Sequence, residues 1–199
     1  MQAERENVYE VMSTEHELKC LLTEDEYGRL LALFEPLPYL REHQTNYYYD
    51  THAGKLRRDN ITMRIREKNG KLKGTIKHHL VTKHCSVEKS FRVDTVPDVM
   101  MYEADLVYLK GSLVTCRTTV FLSDTVMIML DRNEYLQCVD YELEIECPKE
   151  FIDEAEGILF FLQKFLHTDG KETLASKSER FFQKKEAKNI FNPDGKCQG

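Results

Sequence analysis

Several features that define large classes of protein are missing from this chain of 199 residues. No purely apolar run exceeds five residues, whereas a membrane-spanning helix needs roughly 20. The N-terminal residues Met-Gln-Ala-Glu-Arg-Glu do not form the basic and apolar regions of a secretory signal. We therefore expect a protein without a signal peptide and without a membrane partner.

The six cysteines also lack the spacing of a structural motif. They form no C-x-x-C pair and match no histidine pair at zinc-binding spacing. Reduced thiols in a cytoplasmic protein are the simplest interpretation. His78, His79 and His84 lie close together, and we favour a loop or a strand edge over a metal site as their explanation.

The charge balance excludes a further class of function. The sequence has 34 acidic and 28 basic residues, which gives a net charge of −6. Binding along a phosphate backbone requires a broad basic face, so we expect no general affinity for nucleic acids. A local basic pocket is still compatible with this balance. The motif G-x-x-x-x-G-K-[ST] is absent, which excludes a P-loop site.

The chain is interpreted as a single α+β domain covering residues 1–199. Its folded body is expected at about 13–182 and a flexible tail at about 183–199. Eight segments in meander order have the pattern of strands, which predicts an antiparallel sheet or a closed eight-stranded β-barrel with peripheral helices. The strands are expected at Thr14–Leu22, Gln44–Tyr49, Asn60–Glu67, Lys71–His78, Ser86–Val93, Leu113–Leu122, Val126–Asp131 and Leu136–Cys147.

Local signals place several connections between these strands. Thr23 and Glu26 have the spacing of a capping box, which predicts a helix from that point to Phe34. The Asn69-Gly70 dipeptide predicts a tight hairpin. Further helices are predicted at Pro97–Leu109, where proline stands near the start, and at Phe151–Leu166 and Lys177–Lys184.

Charges of one sign cluster on single faces of the predicted strands. Side chains alternate along a strand, so residues two apart share a face. Arg64 and Arg66 share one face, as do Glu142, Glu144 and Glu146. Like charges at this spacing cost energy unless an opposite charge lies across from them. A half-buried sheet with a solvated polar face explains each strand alone but not the set.

The acidic faces belong to the first and last strands, and the basic faces belong to the middle strands. If the sheet closes, the first and last strands become neighbours, and acidic side chains line one wall of a lumen whose opposite wall is basic. Carboxylates favour Mg²⁺ or Mn²⁺, and arginine and lysine favour phosphate. The pattern therefore predicts a tunnel for a metal-bound polyphosphate.

Six short motifs, in order along the chain, resemble those of the CYTH superfamily, the triphosphate tunnel metalloenzymes. Together they span roughly residues 13–182, and the layout is most similar to the small single-domain bacterial members. The motifs are E-x-E-x-K at Glu15–Lys19, R-x-R at Arg64–Arg66, T-x-K at Thr75–Lys77, L-D at Leu130–Asp131, a late E-x-E within Asp140–Glu146, and S-K-x-x-R-[FY] at Ser176–Phe181.

The resemblance implies an eight-stranded antiparallel tunnel that binds a triphosphate with one or two divalent metals, Mg²⁺ or Mn²⁺. The metal ligands it implies are Glu15, Glu17, Glu144 and Glu146, with Glu88 and Glu142 as weaker candidates. The triphosphate contacts it implies are Lys19, Arg64, Arg66, Lys77, Arg117, Lys177 and Arg180. The catalytic set expected from it is Lys19, Arg64, Arg66, Lys77 and Asp131.

The predicted function is metal-dependent hydrolysis of the terminal phosphoanhydride of inorganic tripolyphosphate or a related small-molecule triphosphate. Hydrolysis of thiamine or nucleoside triphosphates, and class IV-type cyclisation of ATP, stay open as alternatives. A non-catalytic module that binds polyphosphate is an alternative from another class, although the intact acidic walls favour an enzyme. Tyr47–Tyr49 could stack on a base, but strand packing explains them better. The apolar helix Phe151–Leu166 is compatible with a homodimer.

Overall fold

The computed structural model describes residues 9–79, 85–121, 126–168 and 175–191. Within these ranges the chain forms nine β-strands, four α-helices and one short 3-10 helix. The strands are β1 (Tyr9–Leu22), β2 (Tyr39–Asp50), β3 (Ile61–Lys68), β4 (Lys71–His79), β5 (Cys85–Arg92), β6 (Val99–Tyr102), β7 (Asp105–Phe121), β8 (Met127–Tyr135) and β9 (Cys138–Cys147). The helices are α1 (Glu24–Phe34), α2 (Lys55–Arg58), α3 (Ile152–Leu166) and α4 (Lys177–Phe191), and the 3-10 helix is Lys149–Phe151.

Eight of the strands form a ring of antiparallel pairings. Their order is β2-β3-β4-β5-β1-β9-β8-β7, and β7 pairs again with β2. The remaining strand, β6, lies outside this ring. It pairs with the first residues of β7 at the edge of the sheet. The predicted fold, an eight-stranded antiparallel tunnel with peripheral helices, is confirmed.

The first and last strands are neighbours, as expected if the sheet closes. Glu17 of β1 lies opposite Glu146 of β9, and Lys19 lies opposite Glu144. The other edge of β1 pairs with β5, so the strand order departs from a simple meander. This position sets the acidic first strand between the acidic last strand and the middle strands.

The Asn69-Gly70 hairpin between β3 and β4 is confirmed. Asn69 and Gly70 have φ values of 53° and 70°, which is the left-handed backbone that a two-residue hairpin of this type needs. The turn fixes the register, in which Arg64 lies opposite Thr75 and Arg66 opposite Lys73. The basic residues of both strands therefore face the same side of the sheet.

The helix predicted at Pro97–Leu109 is wrong. This segment forms the β6–β7 hairpin, whose turn contains Glu103 at φ 52°. Val107 is buried, whereas Leu106 and its cross-strand partner Met101 are exposed. Burial thus follows the two-residue period of a strand. The segment is too short for its sequence to distinguish this period from the 3.6-residue period of a helix.

Two helices cover the apolar outer face of β1, β8 and β9. The capping box at the start of α1 is confirmed, since the Glu26 backbone N–H donates to Thr23 Oγ1 at 3.2 Å and the Thr23 N–H donates to Glu26 Oε2 at 2.6 Å. Leu30 of α1 and Leu162 of α3 join one buried cluster with Leu143 of β9. Because the apolar side chains point to the helices, the alternate charged ones point into the tunnel.

The first turns of the last helix, α4, pack against Tyr48 of β2. Phe181 and Phe182 pack against Tyr48, with ring centroids 5.2 and 6.2 Å apart, and Phe181 lies against Gly111. A Cβ at Gly111 would lie 2.9 Å from the Phe181 ring, and its φ of 140° also favours glycine. The helix continues to Phe191, so the predicted end at 184 and a tail beginning at 183 are wrong.

Residues 192–199 lie outside the described residues. No helix in the described ranges is long and apolar enough to cross a membrane.

Candidate active site

A cavity of about 280 Å³ lies among the inner faces of the strands, and its lining is almost entirely polar. It gathers residues from strands on both sides of the tunnel together with the first turn of α4. The lining residues are Glu17, Lys19, Tyr48, Thr62, Arg64, Arg66, Lys73, Lys77, His79, Glu88, Arg117, Glu144, Glu146, Ser176, Lys177 and Ser178. The structure therefore brings together most of the residues that the sequence motifs indicated.

The basic wall of the cavity is formed by β3 and β4. Arg66 Nε donates to Asn46 Oδ1 at 3.0 Å, and burial together with repulsion from Arg64 and Arg117 lowers its pKa. Arg64 approaches the carboxylate of Glu88 at 3.7 Å, and its Nε has no hydrogen-bond partner. Positive charge on this wall is crowded, which favours a polyanion in front of it.

The acidic wall lies on β1 and β9. Burial, followed by the negative charge of Glu144, raises the pKa of Glu17, and a hydrogen bond joins the two carboxyl groups. Lys19 and Lys77 lie 3.2 and 3.4 Å from Glu17 Oε2. For Glu144, burial opposes ionisation, but the charges of Lys177 and Arg117 hold its pKa well below the usual range.

The donor set of this wall suits a hard divalent cation. Glu17, Glu144 and Glu146 line the same cavity, and carboxylate oxygens are preferred by Mg²⁺ and Mn²⁺. A cation between Glu17 and Glu144 would relieve the repulsion that raises the pKa of Glu17. Among the described residues, no three acidic, cysteine or histidine side chains are already gathered at coordinating distance. The side chain of Glu15 lies outside the described residues, while its backbone pairs with Ser86.

Lys177, the first residue of α4, is the centre of a buried ion cluster. Its Nζ lies 2.9 Å from Asp131, 2.7 Å from Glu142 and 2.5 Å from Glu144. Burial works against the charge, but these three carboxylates outweigh it and raise the pKa of Lys177. Much of its charge is therefore neutralised within the protein.

Arg117 of β7 joins the same cluster. Its Nε and Nη2 donate to the two oxygens of Asp131 at 2.8 and 2.6 Å, and Nη2 also contacts Glu144. Asp131 is fully buried and does not line the cavity. Its position between Arg117 and Lys177 makes it a residue that orients cations.

Arg180 and Glu142 also lie behind the cavity lining. Arg180 donates to Glu142 at 2.9 Å, to Asp140 at 3.0 Å and to the Ala175 carbonyl oxygen at 2.9 Å. Glu142 has no exposed surface. The structure thus places this predicted substrate contact and this predicted metal ligand in an internal pair that fastens the first turn of α4.

Tyr48 is a cavity residue that the sequence interpretation left to ordinary strand packing. Its ring packs on Phe181, and its buried hydroxyl has no hydrogen-bond partner. Burial raises the pKa of Tyr48, so the hydroxyl keeps its proton and can donate. Tyr48 lies opposite Arg64 in the β2–β3 register, so the two side chains face the tunnel together. Knowledge of this register would have predicted Tyr48 as a tunnel residue.

The other cavity residues outside the predicted set are Lys73, Thr62, His79, Ser176 and Ser178. Lys73 lies four residues before the predicted Lys77 on β4, so the two side chains share a strand face. This spacing indicated that Lys73 also faces the tunnel. His79 Nε2 lies 3.0 Å from Thr62 Oγ1, and burial, followed by the charge of Lys77, lowers the pKa of His79 to about 4. It is therefore neutral at pH 7.

The pattern of strands and charges has a counterpart among known families. The family model of the CYTH domain matches residues 13–181. The chain belongs to the CYTH domain family. In sequence, it is 28% identical over 185 residues to YjbK of Bacillus subtilis (strain 168), a protein assigned as a triphosphatase, with 86% of this chain and 95% of the relative covered.

Solved CYTH-like structures share the fold at low sequence identity. The protein bh2851 from Bacillus halodurans, assigned as an adenylate cyclase, superposes with a TM-score of 0.69 at 21% identity, covering 86% of this chain and 98% of its own. HpAC1 from Hippeastrum, assigned as an adenylyl cyclase with a dominant triphosphatase activity, has a TM-score of 0.68 at 20% identity, covering 85% and 95%. These likenesses support the tunnel architecture.

Proposed function

We propose that this member of the CYTH family is a metal-dependent triphosphatase that hydrolyses the terminal phosphoanhydride of inorganic tripolyphosphate. One observation carries the proposal. Arg64 Nε and Tyr48 Oη are buried donors without a partner, and both residues line the cavity. Buried donors are costly when unpaired, so the site favours a ligand rich in acceptor oxygens.

The cavity supports an inorganic substrate over an organic triphosphate. Tyr48 is the only aromatic residue in the described lining apart from His79, and its ring is already packed against Phe181 and Phe182. No phenylalanine, tyrosine or tryptophan ring in the described lining is therefore open to a nucleobase or a thiamine ring. A volume of about 280 Å³ lined by charges suits a compact polyanion.

The residues that would hold Mg²⁺ or Mn²⁺ are Glu17, Glu144 and Glu146. Glu15, the first carboxylate of the E-x-E-x-K motif, is the fourth proposed ligand. A bound divalent ion would offset phosphate charge and lower the pKa of an attacking water. No serine, cysteine or histidine nucleophile is required in this scheme, since water supplies the oxygen.

The cationic side chains have separate tasks in the proposed reaction. Water adds across the bond between the last two phosphates, and orthophosphate and pyrophosphate are released. Arg64, Arg66 and Lys73 bind the substrate and offset the charge that builds on the leaving pyrophosphate. Lys19 and Lys77 lie beside Glu17, so they join the acidic wall to the basic one. Asp131 acts by orienting Arg117 and Lys177.

The relatives support this class of reaction and supply one competitor. YjbK is assigned as a triphosphatase, and HpAC1 has a dominant triphosphatase activity. Both solved structures named above are assigned as adenylyl cyclases, so ATP cyclisation is the activity to test against. Cyclisation would release pyrophosphate and cyclic AMP, whereas hydrolysis of ATP would release orthophosphate and ADP.

The test compares Arg64→Gln with Arg132→Gln. Arg132 is half exposed and pairs with Glu134 away from the cavity, so its variant is the matched control. Loss of a hydrogen bond to a charged group costs about 1.5–3 kcal/mol, so Arg64→Gln should lower kcat/KM for tripolyphosphate by roughly 10- to 150-fold. Arg132→Gln should stay within about twofold of the wild type, because exposed pairs contribute little.

Three substrates are compared in this assay: tripolyphosphate, ATP and thiamine triphosphate, with cyclic AMP measured for ATP. Equal activity of Arg64→Gln and the wild type would show that the cavity is not the site. A higher kcat/KM for ATP or thiamine triphosphate would replace the substrate assignment. Binding of tripolyphosphate without release of phosphate would identify a non-catalytic module.

A further inference from the structure

Two adjacent phenylalanines on α3 are unusually exposed. Phe160 and Phe161 each expose 62% of their surface, whereas Leu159 and Leu162 of the same helix are buried in the core. Apolar groups that are grouped and exposed in this way mark surfaces that bind a partner. The outer face of α3 is therefore a candidate interaction surface in the described structure.

The residues around these phenylalanines form a self-complementary seam. Glu154, Gly157, Phe161 and Lys164 follow one another at spacings of three and four residues, so they lie along one side of the helix. All four are exposed. Gly157 has no side chain and a Cβ there would meet no atom within 4 Å, so the helix surface beside Phe161 is open. The seam has an acidic residue, Glu154, at one end and a basic residue, Lys164, at the other.

We propose that this seam binds the same seam of a second copy of the chain, with the two α3 helices antiparallel. When the two-fold axis crosses the seam at the level of Leu159 along the helix, Phe161 packs over Gly157 of the second copy and Lys164 faces Glu154 of the second copy. The symmetry repeats both contacts, as an isologous dimer requires. A parallel arrangement would set like charges against each other, which disfavours it.

The size of the seam limits its strength. A helix of 15 residues is about 22 Å long, and two such helices in contact bury less than the roughly 1,200 Å² of a strong interface. The dimer is therefore expected to be weak and reversible. Sedimentation velocity on the full chain from about 1 to 200 μM covers the micromolar range expected of such an interface.

Charge-reversal variants distinguish this antiparallel dimer from a dimer formed through another surface. Lys164→Glu and Glu154→Lys should each raise the dissociation constant about tenfold, because each replaces two attractions by two repulsions. The double variant Glu154→Lys/Lys164→Glu restores opposite charges and should return to within about threefold of the wild type. Phe161→Ser should abolish the dimer, and Met101→Ser, at an exposed residue of β6, should leave it unchanged.

Two results would overturn the proposal. One is a wild-type chain that stays monomeric throughout the concentration range. The other is a double variant that is as dissociated as the single variants, since only antiparallel self-pairing predicts the rescue. Phosphate release by each variant should equal that of the wild type, because the seam residues do not line the cavity.

Discussion

Replacing Tyr48 by phenylalanine should lower activity while leaving the fold at least as stable. The ring of Tyr48 packs on Phe181 with centroids 5.2 Å apart, and phenylalanine keeps this contact. The substitution removes only the hydroxyl, which is buried and has no partner in the absence of substrate. The variant therefore isolates one donor of the proposed binding site.

The two expected effects differ in sign. A hydrogen bond to a charged group contributes about 1.5–3 kcal/mol, so loss of the Tyr48 donor should lower kcat/KM for tripolyphosphate by roughly 10- to 150-fold. Removing a buried hydroxyl without a partner relieves a desolvation penalty, so the free energy of unfolding should stay equal or rise by about 1 kcal/mol. Few substitutions in a core produce this combination.

The neighbouring tyrosine provides the matched control. Tyr49 faces the opposite side of β2, and its hydroxyl donates to the Pro97 carbonyl oxygen at 2.7 Å. Tyr49→Phe should lower the free energy of unfolding by about 1 kcal/mol and leave kcat/KM unchanged. Phosphate-release kinetics and urea denaturation measure both quantities. A Tyr48→Phe variant with wild-type kcat/KM would refute the role of the hydroxyl.

Three further variants test the supports of the site. Lys177→Met leaves three buried carboxylates without their shared cation, so the free energy of unfolding in urea should fall by about 3–5 kcal/mol. Gly74→Ala places a Cβ 2.3 Å from the Phe91 ring, and the resulting shift should cost about 1–3 kcal/mol in the same assay. The pKa of His79 is lowered to about 4, so the unfolded chain binds its proton first as the pH falls. The wild type should therefore lose stability between about pH 6.5 and 4, and His79→Gln should lose less over that window.

Each of these variants has a result that would contradict the structure. Unchanged stability of Lys177→Met would mean that the ion cluster is open to water. A neutral effect of Gly74→Ala would mean that the Phe91 ring moves without cost. Identical pH profiles for His79→Gln and the wild type would mean that His79 titrates as freely in the folded state as in the unfolded chain.

Local signals predicted the parts of the fold that depend on neighbouring residues. The capping box at Thr23 and the Asn69-Gly70 turn each involve residues a few positions apart, and both are confirmed. The helix predicted at Pro97–Leu109 is wrong because β6 is defined by pairing with β7, and its apolar residues suit either period. The position of β1 between β5 and β9 depends on contacts across most of the chain.

The candidate site divides in the same way. Alternating like charges predicted the two walls, since side-chain direction in a strand follows from residue parity. This alternation does not show which basic side chains are paired with carboxylates of the protein itself. Lys177 and Arg180 both match the closing motif, but the structure places Lys177 on the cavity and Arg180 behind it, paired with Asp140 and Glu142. These partners are more than 30 residues away in sequence.

The most direct measurement of the central claim is phosphate release from tripolyphosphate by the wild-type chain. It is made with Mg²⁺, with Mn²⁺ and with a chelator, together with the thermal shift caused by tripolyphosphate. We expect one orthophosphate for each pyrophosphate formed, with one or both metals, and no release with chelator. Absence of release under every condition, with or without a thermal shift, would contradict it.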